Sequence, residues 1–302
     1  MNKITPWFNA ARLRTLPLSV SGVLVGTALA NYYGKSDITI FILAMLTTIG
    51  FQVTSNFAND YGDGVKGTDN EDRIGPKRAL QSGILTRAQL MRGILVSIGI
   101  DALLVIALVY FAFGLNTSIY PILFLILGAA SIWAAITYTI GKSAYGYKGL
   151  GDVFVFLFFG LLAVLGTMFL YTKFLLPMAI LPAIAIGLLS AGVLNLNNLR
   201  DYNSDKKVQK NTFVVFIGFD KGKVYHYALL SLAFLSILMF AIVNLEGWRI
   251  LLPLLAFLPI LLHLKKIYHT DKPDLIDPEL KKLALSTFLL SVLMYISCNN
   301  FL

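Results

Sequence analysis

Nine separate stretches of this chain are each apolar and long enough to cross a lipid bilayer, and this limits its fold more than any other feature. A helix needs roughly 20 apolar residues to traverse the hydrocarbon core. Stretches at approximately 16–33, 38–58, 88–112, 119–141, 151–172, 174–199, 225–244, 248–268 and 283–302 meet that requirement. The fifth and sixth are parted only by Thr172, Lys173 and Phe174, and the seventh and eighth by Glu246, Gly247 and Trp248, which read as tight turns at a membrane face. Hydrophobic residues make up 57% of the 302 and charged ones 14%, whereas soluble domains run nearer half and a quarter. A soluble core could not hide that much apolar surface. The expected fold is all-α: a polytopic membrane protein of nine transmembrane helices, forming a single domain over residues 1–302.

The distribution of charge checks the span count independently. With the N-terminus and the loops after spans two, four, six and eight on one side, 22 Lys and Arg fall there, against Lys35, Lys173 and Arg249 opposite. By the positive-inside rule the N-terminus is cytoplasmic. A miscounted span would have scrambled this partition. The net charge of +9 is thereby explained by orientation, and no nucleic-acid partner is called for. The run after Arg12 and Arg14 has a signal-peptide flavour, but it is long enough to span, and its removal would reverse the topology. The segment from Pro6 to Arg14, carrying Trp7, Phe8 and Leu13, is expected to lie along the cytoplasmic surface. Cys298 stands alone, so a disulfide framework is excluded. His226, His263 and His269 have no zinc-type spacing.

Two cytoplasmic loops carry related motifs. Span two runs into Asn56, Asn59, Asp60 and Asp63; span six runs into Asn195, Asn197, Asn198, Asp201 and Asp205. On a helix, the i, i+3 pair Asp60/Asp63 and the i, i+4 pair Asp201/Asp205 each share a face. Four carboxylates facing one cavity repel: two charges about 6 Å apart cost roughly 3 kcal/mol at an effective dielectric of about 20. Oxygen-only ligands on a partly open site suit Mg2+ shared with substrate phosphates. Lys66, Arg73, Lys77 and Arg78 follow the first motif, Arg200 and Lys206 flank the second, and Lys142 lies in the loop between. Carboxylates and metal ringed by basic side chains form a diphosphate site. A lone aspartate at a helix end is ordinarily a solvated loop charge; two spaced pairs, each with asparagines upstream, are not so easily set aside. Asp101 falls within span three and bonds a neighbouring helix or serves function. Asp152 opens span five, where it caps the helix or orients or deprotonates an acceptor. There is no GxGxxG or P-loop pattern, hence no nucleotide or flavin site.

At these residues the chain resembles the UbiA superfamily of intramembrane aromatic prenyltransferases. The carrying segments are 56–83 (NFANDYGDGVKGTDNEDRIGPKRALQSG), 147–159 (YKGLGDVFVFLFF) and 197–218 (NNLRDYNSDKKVQKNTFVVFIG), with RLRTLPLSVSGVLVGTALA near the N-terminus. Gly67 stands where many members carry a further aspartate, and Asp69 follows, which resembles the branch that prenylates 1,4-dihydroxy-2-naphthoate. The resemblance implies helices around a central cavity in the bacterial cytoplasmic (inner) membrane. It implies that Asp60, Asp63, Asp201 and Asp205 hold Mg2+ against a polyprenyl diphosphate. Asn56, Asn59 and Asn198 would complete the site, with Arg78 and Lys142 toward the diphosphate; Lys66 and Arg73 are added to the diphosphate set by their position after the first motif. The reaction implied is prenylation of 1,4-dihydroxy-2-naphthoate with decarboxylation, giving demethylmenaquinol. Alternatives are another aromatic acceptor, such as 4-hydroxybenzoate, or a membrane transporter.

Overall fold

A computed structural model describes residues 5–69 and 74–299. Among them the regular structure is entirely helical, and nine helices are long and apolar enough to cross a membrane. They are Thr5–Tyr32, Ile38–Lys66, Arg87–Phe113, Ile119–Thr137, Gly151–Thr172, Pro177–Arg200, Phe219–Asn244, Gly247–Tyr268 and Pro273–Cys298, called spans one to nine below. Leucine and isoleucine lie half bare along their outer faces, as at Leu103, Ile106, Ile122 and Leu262. In a membrane that exposure costs nothing, because lipid is the solvent there.

Three of the boundaries that differ from the sequence expectation do so for an identifiable physical reason. Span two runs eight residues past 58, so the whole first acidic motif is helical up to Gly67, whose φ of +73° ends the helix. Glycine adopts that left-handed conformation without steric cost. Span nine begins at Pro273 instead of 283, because its first turns carry Asp277, Glu279, Lys281 and Lys282 and escape a hydropathy criterion. The N-terminal segment is a short helix, Thr5–Ala11, that turns at Arg12 (φ +49°) into Leu16–Tyr32. It does not simply lie on the surface: Trp7 packs edge-on against Phe57 at 5.6 Å and fills the space beside Gly93.

The ends of the helices are held by local chemistry. The Asp37 carboxylate accepts from the N–H groups of Thr39 and Ile40 (2.8 and 3.0 Å) at the start of span two. Thr86 and Gln89 form a reciprocal capping box at span three, satisfying otherwise orphaned donors. Asp101, fully buried in span three, accepts a 2.6 Å hydrogen bond from Thr54 of span two, so this intramembrane acid ties two helices together.

Spans five and six cross at glycines. A Cβ on Gly160 would stand 2.5 Å from the Gly187 Cα and 2.7 Å from the Ala183 carbonyl oxygen. Backbones approach this closely only where side chains are absent. Gly160→Val is expected to destabilise the detergent-solubilised protein by about 1–3 kcal/mol through overpacking. Thermal unfolding checks this, and an unchanged midpoint would remove the crossing from the account.

Candidate active site

The two acidic motifs, 138 residues apart at their aspartates Asp63 and Asp201, meet at one end of the helical bundle. Together they wall a small chamber of about 20 Å³ whose lining includes Asp63, Asp69, Arg78, Asn197, Asp201, Asp205 and Lys210. Four of those residues, Asp63, Arg78, Asn197 and Lys210, also line a much larger cavity of about 1390 Å³. Asn56, Asn59, Asp60, Arg12 and Arg14 lie along the polar end of this cavity. Away from them its walls become Val105, Leu108, Phe124, Leu127, Phe158, Leu162 and Leu170. A charged end and a long apolar end therefore share one cavity.

The first motif is fixed by the last two turns of span two. Asp60 accepts from the backbone N–H of Ala79 at 3.0 Å, which folds the segment after the motif back over it. Asp63 accepts from the Tyr147 hydroxyl at 2.7 Å and lies 3.7 Å from the Arg78 guanidinium, which also reaches Asp69 at 3.5 Å. Burial first, and the Asp63 charge second, raise the Tyr147 phenol above its usual range, so it remains a donor. Gly62 lets Thr139 come against the helix: an added Cβ would stand 2.5 Å from the Thr139 Oγ1. The Thr139 hydroxyl donates to the Ala58 carbonyl at 2.9 Å. Asn56 donates to the Ala11 carbonyl at 2.8 Å, tying the N-terminal helix to the same turn.

In the second motif Asn197, Asp201 and Asp205 recur every four residues and face one way, and all three line the small chamber. Arg200 forks onto Asp201 with bonds of 2.8 and 2.6 Å. After Asp205 the chain reverses through Gln209 (φ +57°), and the Lys210 N–H closes on the Asp205 carbonyl at 2.9 Å. This reversal carries the Lys210 ammonium between the motifs, 3.9 Å from Asp63 and 3.8 Å from Asp205. Burial works against the Lys210 charge, yet Asp63 and Asp205 outweigh it and hold the ammonium above the ordinary lysine value. Burial pushes the Asp205 carboxyl up to about 7, opposed by Lys210 and reinforced by Asp201 and Asp63.

Several expected residues fall elsewhere. Asn198 is buried but lines neither chamber; Asn197, about 100° round the helix, occupies the wall instead. Lys142 is exposed in its loop and lines neither chamber. Lys66 is also exposed, its ammonium 4.0 Å from the centre of the Tyr147 ring, and it lines neither chamber. Arg73 lies outside the described residues. Asp152 neither caps its helix nor lines the cavity: it is buried with both oxygens lacking a hydrogen bond, while its neighbours Phe154 and Val155 form the wall. Lys210 was missed because membrane orientation already explained its charge. Its signal was its place five residues after Asp205, within the segment that follows the second motif.

The donor set suits a divalent cation bound through oxygen. Asp205 Oδ2 is buried without a hydrogen bond, beside Asp63 and Asp201 in a wall of carboxylates. Among the described residues no three acidic or histidine side chains yet converge on one point. Instead Arg78, Lys210 and Arg200 each rest on a carboxylate. Such residues fit Mg2+ that arrives with the phosphates it binds, keeping part of its coordination for substrate.

A helical membrane protein whose charged chamber opens into a long apolar cavity is built to act on an amphiphile with an anionic head. The chain belongs to the UbiA prenyltransferase family, whose pattern it matches over residues 19–294. It is 45% identical over 255 residues to the 1,4-dihydroxy-2-naphthoate octaprenyltransferase of Escherichia coli (strain K12), covering 83% of this chain and 82% of that one. To the Haemophilus influenzae protein of the same name it is 42% identical over 294 residues, covering 96% and 94%. The fold matches a UbiA homolog from Archaeoglobus fulgidus solved with GPP and Mg2+, with a TM-score of 0.68, 14% identity, and 96% and 99% of the two chains covered.

Proposed function

We propose that this chain, acting as one domain, transfers a long prenyl group from its diphosphate to 1,4-dihydroxy-2-naphthoate with loss of carbon dioxide. The observation that carries the reading is the wall shared by the two chambers, where Asp63, Arg78, Asn197 and Lys210 border both the charged recess and the apolar cavity. A diphosphate head and its first isoprene would straddle that wall. The names of the E. coli and H. influenzae relatives support the acceptor. The surplus of Lys and Arg supports a chamber on the cytoplasmic side of a bacterial inner membrane, with the N-terminus on the same side.

In this reading Asp60, Asp63, Asp201 and Asp205 hold Mg2+, which supplies positive charge against the leaving diphosphate. Arg78 and Lys210 turn from their carboxylates to the phosphate oxygens and stabilise the same developing charge. Asn197, and Asn56 and Asn59 beside Asp60, orient the head by hydrogen bonds. The apolar walls around Phe158 and Leu162 receive the tail and keep water from the electron-poor carbon, where hydrolysis would compete. The C–O bond to diphosphate breaks, and the ring carbon bearing the carboxylate forms the new C–C bond. That carboxylate then leaves as carbon dioxide, returning its bonding pair to the ring. No ring proton has to be removed at that carbon, so the chemistry asks for no base there, in keeping with Asp152 standing off the cavity wall.

The test is acceptor choice. Purified protein given a long-chain prenyl diphosphate, Mg2+ and equimolar 1,4-dihydroxy-2-naphthoate and 4-hydroxybenzoate is expected to yield demethylmenaquinol by mass spectrometry. Prenylated hydroxybenzoate as the main product would overturn the acceptor assignment while leaving the site's chemistry intact.

A further inference from the structure

Arg200 is almost wholly buried at the end of span six, and its guanidinium makes four hydrogen bonds. Two go to Asp201 (2.8 and 2.6 Å), one to the Asn197 side-chain carbonyl (2.7 Å), and one to Asp277 (2.7 Å). The first two partners wall the small chamber. The third comes from outside both acidic motifs, from the first turn of the helix that completes span nine. We propose that Asp277 is a positioning residue for the second acidic motif, acting through Arg200 to leave Asp201 able to take a metal ion.

On the reading of the chamber as a metal–diphosphate site, charge sets what Asp201 can bind. A buried guanidinium demands a carboxylate, and the planar fork of arginine matches one bidentately. Arg200 already forks onto both Asp201 oxygens, so a cation approaching them has to displace it, and with Asp201 as its sole carboxylate the displaced guanidinium would be left buried and unpaired. Asp277 gives Arg200 a second carboxylate. The trio then carries a net negative charge, and Arg200 is held at its Nη1 by a carboxylate that lines the large cavity but not the small chamber.

The backbone around Asp277 is correspondingly firm. Ile276, immediately before it, is fully buried in the core. Two residues on, the buried Glu279 carboxylate lies 2.8 Å from His263 Nδ1 in span eight and accepts from Lys282 at 2.6 Å. His263 in turn meets His226 of span seven at 2.8 Å. Spans seven, eight and nine are thus locked where Asp277 emerges, although the Asp277 side chain itself is 43% exposed. A half-exposed carboxylate on a fixed backbone, turned inward to a buried arginine, is placed to set that arginine's position; the fold already has its anchor in Glu279.

The experiment follows thermal unfolding of the full detergent-purified chain as Mg2+ is titrated at fixed inorganic pyrophosphate. It compares wild type with Asp277→Asn and Asp277→Glu. Asp277→Asn is expected to raise the Mg2+ midpoint about tenfold, the scale of one charge-assisted hydrogen bond. Its melting temperature in chelator should stay near wild type, and Asp277→Glu should recover most of the Mg2+ response. An unchanged Mg2+ midpoint in Asp277→Asn overturns the proposal. So does a lowered melting temperature with no change in midpoint, which would make Asp277 a structural tie only. If wild type itself gave no Mg2+ response with pyrophosphate, the metal–diphosphate reading would fall, and the proposal with it.

Discussion

Asp63→Asn should lose about 10²–10³-fold in turnover, the range seen when one group stabilising transition-state charge is removed, in protein that still folds. The reason lies in what the amide keeps and what it lacks. Asparagine is nearly isosteric and its carbonyl oxygen can still accept from Tyr147, the contact that fixes the side chain at 2.7 Å. The charge is gone, however, from the one aspartate among the described residues that borders both the recess and the cavity and that faces Arg78 and Lys210 together. Turnover at saturating substrate, with thermal unfolding run in parallel, checks both halves of the statement. Near-normal Mg2+-dependent turnover would take Asp63 out of the site.

Lys210→Met is expected to lose stability as well as turnover, because its ammonium serves both the resting carboxylate cluster and the phosphate. The ammonium is buried between Asp63 and Asp205, and burial, reinforced by Asp201 and Asp63, raises the Asp205 carboxyl to about 7 even against the pull of Lys210. Removing one partner of a buried charge cluster typically costs about 3–5 kcal/mol. Methionine fills the volume of the lysine stem, so the loss is electrostatic. The variant should therefore unfold at a clearly lower temperature in chelator. Mg2+ with inorganic pyrophosphate should recover more of its stability than wild type gains, because the metal neutralises the carboxylates that Lys210 leaves behind. Equal deficits with and without Mg2+ would mean that Lys210 and the metal do not act on the same carboxylates.

The spans were readable because lipid demands long apolar helices, and hydropathy reports that demand directly. Span nine shows the limit. Its first turns are charged because they face the site end, where Asp277 and Glu279 have buried partners, and an apolar window passes over them. The aspartates were readable as paired helix faces, but their partners depended on register and on chain reversal. Asn197 and Asn198 differ by one position, and only the packing of span six turns Asn197 to the chamber. Lys210 reaches Asp63 through the turn at Gln209, which leaves no hydropathy or charge signature. Conversely, Lys66 and Lys142 have the right charge in the right loops and remain on the outer surface, because the positive-inside bias supplies more basic residues than the chamber holds.

The central claim is that the charged recess ionises a prenyl diphosphate and the apolar cavity delivers the resulting electrophile to the acceptor without losing it to water. The stoichiometry tests it most directly: diphosphate released, carbon dioxide released and prenylated naphthalene formed, counted in one reaction with purified protein. The account predicts one of each per turnover, with all three abolished by chelator. Diphosphate released in large excess over product, or product formation undiminished by chelator, would contradict it.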